Sequence, residues 1–324
     1  MPPRKRGFSQ GRYSYVKWII VLCISLLVIF STCVINGPGR DIEFVTPEGN
    51  IQVSFSVASD MRKYSGSNPA YFRGVCETLA AGGPGEFMVS PGDIDPPNQV
   101  YDTIRTYIGD HYTWYPVVGN HEAALSTFME WLRVFNRDGY TLPNIVNAGP
   151  SGCEETTYSF DYGDAHFLVL NEYYDGKSDC ASDGDVQDAL YNWLIADLET
   201  NTRPIVFVFG HEPAYPQPDQ ESGRLRHETD SLNAHPAHRD RFWNALVAYG
   251  VVAYICGHTH NYSVVNVDGL WQIDAGHARG TGDTGARSTF LMLYVTEEGG
   301  VFYYTYRLDF VTEEYFLADS GQLR

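Results

Sequence analysis

Two observations predict an α/β fold. Apolar runs of strand length alternate with segments whose apolar residues recur at helical spacing, and five of those runs lead directly into a side chain able to bind metal. In order, IQVSFSVAS (51–59) reads as a strand because its β-branched and aromatic residues alternate, and Phe72, Val75 and Leu79 then mark one face of a helix. EFMVS (86–90) is the next strand, followed by a helix through Val100, Ile104 and Ile108. WYPVV (114–118) precedes a helix through Phe128, Trp131, Leu132 and Phe135. A hairpin at 157–161 and 165–171 comes next, then a helix bearing Val186, Leu190, Trp193, Leu194 and Leu198. The strand PIVFVF (204–209), a helix with Phe242 and Leu246, and the strand VVAYIC (251–256) complete the alternation. WQIDA, TFLMLYV and VFYYTYRL make the remainder strand-rich. The pattern predicts a largely parallel core sheet with helices outside it and antiparallel strands at the carboxyl end.

The composition suits a folded chain and excludes a nucleic-acid face. Of 324 residues, 44% are hydrophobic, too many for a disordered chain, and 22 basic side chains stand against 40 acidic ones for a net charge of −18. The charge is unevenly placed. Residues 1–17 hold Arg4, Lys5, Arg6, Arg12 and Lys17 and no acid, which leaves 17 basic against 40 acidic side chains in the rest, a surface that repels phosphate backbones.

From Trp18 to Gly39 no residue is charged, and WIIVLCISLLVIFSTCVI (18–35) is long enough to approach the ~30 Å of a hydrocarbon core as a helix. The basic residues before it would stay in the cytoplasm, placing the body of the chain outside. A cleaved signal peptide and a lipid-modified Cys33 are the alternatives to a retained membrane anchor, and all three export the domain. NGPGR (36–40) breaks the pattern, so 36–50 reads as a linker and 51–324 as the folded domain. In an oxidising compartment Cys153 and Cys180, in loops at the open end of the 157–171 hairpin, are candidates for a disulfide; Cys76 and Cys256 fall in apolar patterns and read as packing residues.

The chemistry lies at the strand ends. Asp60 follows SFSVAS, Gly92-Asp93 follows FMVSP, Gly119-Asn120-His121-Glu122 follows YPVV, Gly210-His211-Glu212 follows IVFVF, and Gly257-His258-Thr259-His260 follows VAYIC. In α/β sheets ligands bind outside the carboxyl ends of the strands, so the five ends can converge on one site, with glycine allowing a sharp exit from the strand. Carboxylates, an amide oxygen and imidazoles suit a pair of divalent ions. Two such ions would acidify a bridging water for attack on phosphorus and stabilise the phosphoryl oxygens, which also explains how an acidic protein could bind an anion.

These motifs, in this order, resemble the calcineurin-like metallophosphoesterase superfamily over roughly 51–310, and YSFDYGDAHFLVLN (158–171) with RDRFWNALVAYGVVAYICGHTHNY (239–262) is most similar to its purple acid phosphatase-like branch. The resemblance implies a four-layer αββα sandwich and hydrolysis of phosphate esters at a centre of two ions of the Mn, Fe or Zn class. It implies that Asp60, Asp93 and His260 hold one metal, and that Asp93 bridges to a second held by Asn120, His211 and His258. His121 would stand beside the substrate as proton donor or phosphate contact, with Glu122 supporting it from behind.

The sequence departs from the family at the first metal. Where many members have histidine two residues after the first aspartate there is Arg62, and where purple acid phosphatases have tyrosine three residues after the bridging aspartate there is Pro96. Either Asp95 supplies the missing donor, or the site binds weakly and Arg62 offers its donors to the phosphate. A phosphomonoesterase is the first reading, a phosphodiesterase the second, and a surface domain silenced by a defective first metal site the rival from another class. His277, His227, His235 and His238 read as loop residues, the last three in a polar stretch, 216–240, too long for an ordinary connection and equally a lid or substrate-contacting insertion or a mobile surface segment.

Overall fold

The computed structural model describes residues 44–61 and 70–324. The apolar runs form two sheets rather than one. The first holds β1 (Ile51–Val57), β2 (Phe87–Ser90) and β3 (Thr113–Pro116) in parallel, continued on the other side of β1 by antiparallel β11 (Thr289–Thr296), β12 (Val301–Leu308) and β13 (Tyr315–Gln322). The second runs β4 (Ile145–Ala148), β5 (Tyr158–Tyr162), β6 (Ala165–Val169), β7 (Ile205–Phe209), β8 (Ala253–Cys256), β10 (Leu270–Ala275), β9 (Tyr262–Val267), with β6, β7, β8 and β10 parallel. Every residue of β2, β6, β7 and β8 is buried, because both faces of each sheet are covered; this is why they read as continuous apolar runs.

Between the sheets the aromatic side chains interlock. Phe55 and Phe87 of the first sheet stack at 5.2 Å, and they meet Phe167 of the second edge-on at 5.3 Å each. The outer face of the first sheet packs on α1 (Ala70–Gly82), α2 (Pro97–Tyr107) and α4 (Ser126–Phe135) through Phe72, Val75, Leu79, Val100, Ile104, Met129 and Leu132. That of the second packs on α5 (Asp188–Thr200) and α6 (Pro236–Ala248) through Leu190, Leu194, Phe242 and Leu246. The short helix α3 (Asn120–Ala123) lies at the end of β3. The layers are therefore helix, sheet, sheet, helix.

Residues 1–17, the apolar segment 18–35 and Arg62 lie outside the described residues; among those described, no helix is long and apolar enough to cross a membrane. Phe44 and Val45, inside the stretch read as a linker, pack on the domain: the Phe44 ring lies 4.6 Å from that of Tyr306, whose hydroxyl accepts from the Val45 N–H. The expected Cys153–Cys180 disulfide is not formed, and both are free thiols. The two loops do approach, but the Asn171 amide joins them, donating to Thr156 Oγ1 and the Asp179 carbonyl. Cys153 is buried against the Thr156 and Thr157 hydroxyls, while Cys180 is exposed beside Ser178.

An ionisable cluster around buried His166 joins the second sheet to α5, with Asp161 on β5 and Asp197 on α5. His166 on β6 is held between Asp161 (2.7 Å) and Asp197 (2.6 Å). Burial works to lower its pKa, but the two carboxylates prevail and raise it above the ordinary histidine value. A pKa raised on folding adds stability that is complete below the unfolded value of about 6.5 and is lost as pH rises through the folded value. In urea unfolding, the stability difference between wild type and His166→Gln should therefore be larger at pH 6 than at pH 9; an equal difference would mean that the native ring is uncharged.

Candidate metal centre

Each strand end that the sequence singled out reaches the same edge of the two sheets. Asp60 (φ 51°), Asp93 (φ 52°), His258 (φ 69°) and His260 (φ 60°) all sit in the left-handed region. For residues with a Cβ this costs about 1–2 kcal/mol each, so their loops are over-determined by what surrounds them. The glycines preceding the ligands serve two ends. Gly92 itself is left-handed (φ 80°), whereas Gly119 is extended (φ −105°, ψ 175°) and is required because a Cβ there would lie 2.6 Å from Asp93 Oδ1. Gly210 and Gly257 are likewise not left-handed, so the sharp-exit reason holds at Gly92 alone.

Asp93, Asn120, His211 and His258 come together. His211 Nδ1 is 2.8 Å from the Pro91 carbonyl, which can only accept, so Nδ1 carries a proton and Nε2 is the nitrogen left to bind a metal once its own proton is displaced. Facing it are Asn120 Oδ1 at 3.2 Å, His258 Nδ1 at 3.2 Å and Asp93 Oδ1 at 3.5 Å. Burial, with the charge of protonated His211 added, pushes the His258 pKa well below its ordinary value, so the His258 ring is the neutral one of the pair. Burial also works downward on His211, but Asp93 and Asp60 outweigh it and raise its pKa to about 9. Acceptors gathered in a buried space around a demand for positive charge are a donor set that fits a divalent ion.

Carboxylates hold the ligand loops from behind. Glu122, fully buried, accepts from the Gly119 N–H (2.9 Å) and the Ile94 N–H (3.0 Å). It thus ties the Asn120 loop to the Asp93 loop instead of supporting the His121 ring, as the sequence implied. Glu172 accepts from the His211 and Glu212 N–H groups and from the Tyr254 hydroxyl, and Asp60 Oδ2 accepts from the His258 N–H. Glu172 follows β6, where no motif marks it.

The other half of the centre differs. Asp60, Asp93 and His260 each offer an atom within 4.8 Å of the others, and Asp60 Oδ1 is 3.3 Å from His260 Nε2. Against the upward push of complete burial, His260 holds the Asp60 pKa well below the usual carboxylate range. Yet Arg279 Nη2 lies 3.0 Å from that same Nε2, and Arg226 Nη1 lies against Nδ1. Asp95, the suggested extra ligand, has its Oδ2 3.8 Å from His121 Nδ1, and His121 Nε2 is 3.7 Å from Asp93 Oδ2. His121 is 29% exposed, at the rim.

The polar stretch 216–240 does cover the centre, as a pinned loop. Asp219 pairs with buried Arg307 at 2.7 Å, and Arg224 bonds the His260 carbonyl, Asn261 and Asp283. The His227 ring lies 4.1 Å from that of His258, tilted by 39°, while His235 and His238 pair with Asp183 and Asp185. His277 is fully buried between the Ala286 carbonyl and the Arg279 N–H.

The family profile described as calcineurin-like phosphoesterase matches residues 57–262, which carry all of these ligands. The chain belongs to the calcineurin-like phosphoesterase family. No curated protein matches it. Among solved structures, GAP50, the anchor in the inner membrane complex of Plasmodium, is similar at 14% identity over 85% of this chain and 89% of that one, with a TM-score of 0.53. Vps29 from Cryptosporidium parvum aligns at 13% identity over 84% and 98%, with a TM-score of 0.41. At such identity the first likeness speaks to fold alone. As a calcineurin-like phosphoesterase the chain should depend on the carboxylate bracing of its ligand loops. Glu122→Gln puts an amide N–H against one of two backbone donors, and metal affinity measured by calorimetry should fall about 10–100-fold with cooperative unfolding retained.

Proposed function

We propose that this chain is a metal-dependent phosphoesterase of the purple acid phosphatase-like branch, acting on monoesters before diesters. The observation that carries this reading is the cluster of His211 Nε2, Asn120 Oδ1, Asp93 Oδ1 and His258 Nδ1, four atoms that can each give a lone pair to a cation, three on buried side chains and one on half-buried Asn120. A divalent ion held there supplies the charge that acidifies water and stabilises phosphoryl oxygens. The chain's own groups do the rest. His121, at the rim and flanked by Asp93 and Asp95, is placed to give a proton to the leaving oxygen. Half-buried Arg226, whose guanidinium lies against His260 and His227, adds positive charge near the centre, which suits the doubly charged phosphate of a monoester. Export to the outside of a membrane is part of the proposal, and it rests on the basic stretch 1–17 followed by the uncharged segment 18–35.

The rival reading, a binding domain that has lost hydrolysis, is favoured by the Arg279 contact on His260. Hydrolysis of a chromogenic monoester and a diester by the metal-loaded chain decides between them. Cleavage of the monoester is expected, and tightly bound metal with cleavage of neither would overturn the enzymatic reading. His121→Ala should lower kcat by about 10²–10⁴-fold with metal content unchanged; loss of metal would contradict its assigned place.

A further inference from the structure

The two halves of the centre treat their histidines in opposite ways. His211 Nε2 faces acceptors, whereas His260 Nε2 faces Arg279 Nη2, a donor that is never deprotonated. Neither neutral form of the His260 ring leaves Nε2 open to a metal. With the proton on Nδ1, 3.2 Å from Asp283 Oδ2 but with the Arg226 Nη1 donor also against it, the Nε2 lone pair accepts from Arg279. With the proton on Nε2 there is no lone pair.

Arg279 is built into this place. It is 3% exposed, its Nε donates to the Asp60 carbonyl at 3.2 Å, and Asp283 Oδ2 is 3.9 Å from its Nη1. Its backbone N–H donates to buried His277, and the preceding Ala278 N–H donates to the Ser59 carbonyl at 2.8 Å. The segment is thereby stitched to the Asp60 loop. Arg279 is thus fixed in the first half of the centre, among Asp60, His260 and Asp283, where its one positive charge is compensated.

We propose that the chain holds a single metal ion, among Asp93, Asn120, His211 and His258, and that the Arg279 guanidinium stands in the place of a second ion beside Asp60 and His260. This deepens the phosphoesterase reading and rests on it. The site's second positive charge is then part of the chain and needs no metal supply.

The test is Mn²⁺ titration of the full-length chain, read by calorimetric stoichiometry and by electron paramagnetic resonance. Wild type should saturate at one ion per chain with the spectrum of an isolated Mn²⁺, and His211→Ala should lose that ion. Arg279→Ala, or Arg279→Gln if the first does not fold, should open His260 Nε2 and take up a second, spin-coupled ion, while Arg279→Lys should remain at one. Two ions in wild type would overturn the inference, as would a count of one in both neutral variants, or one ion that survives His211→Ala. Two ions together with ester hydrolysis would overturn this inference and leave the phosphoesterase reading standing; no ion and no hydrolysis would remove both.

Discussion

The hydrogen bond from His211 Nδ1 to the Pro91 carbonyl decides the chemistry of the whole centre. A carbonyl can only accept, so it fixes which nitrogen of a buried ring holds the proton and aims the other at Asp93, Asn120 and His258. Pro91 lies in the loop that delivers Asp93, and the same loop donates its Ile94 N–H to Glu122. One short stretch therefore sets a ligand, orients a second and is braced by the loop carrying a third.

Such bracing is required because the ligand loops are unfavourable by themselves. Four of the candidate ligands adopt left-handed backbone, and buried carboxylates at Glu122, Glu172 and Asp60 answer the N–H groups that the strand exits leave exposed. The cost is sustained by the two-sheet core behind them, where the rings of Phe55, Phe87 and Phe167 hold the sheets in one register. Local strain at the site and rigid packing beneath it are parts of one design.

The charge of the chain also divides by location. The −18 total describes a solvated acidic surface, but the centre is flanked by Arg224, Arg226 and Arg279, each paired to an acid or a ring. Net charge thus characterises the surface as a whole without describing the field at the site.

Much of the fold and the ligand set was legible in the sequence, because the signals are local. An apolar run predicts a buried strand, and a metal-competent side chain at its exit, after glycine in four of the five, marks a candidate ligand; Asp60, Asp93, Asn120, His211, His258 and His260 do lie together at one edge of the sheets. The division into two sheets was not in the pattern of runs, since strand partners are chosen by packing across the chain. The absent disulfide follows from Asn171 joining the loops that spacing alone brought near. By itself, then, the sequence determined which side chains could bind metal and at which strand ends they lie. Only the tertiary structure decided which lone pairs remain for a metal, because Arg279 reaches His260 and Asp60 by packing across a long stretch of chain, and a charged loop residue looks like surface until the fold gives it neighbours.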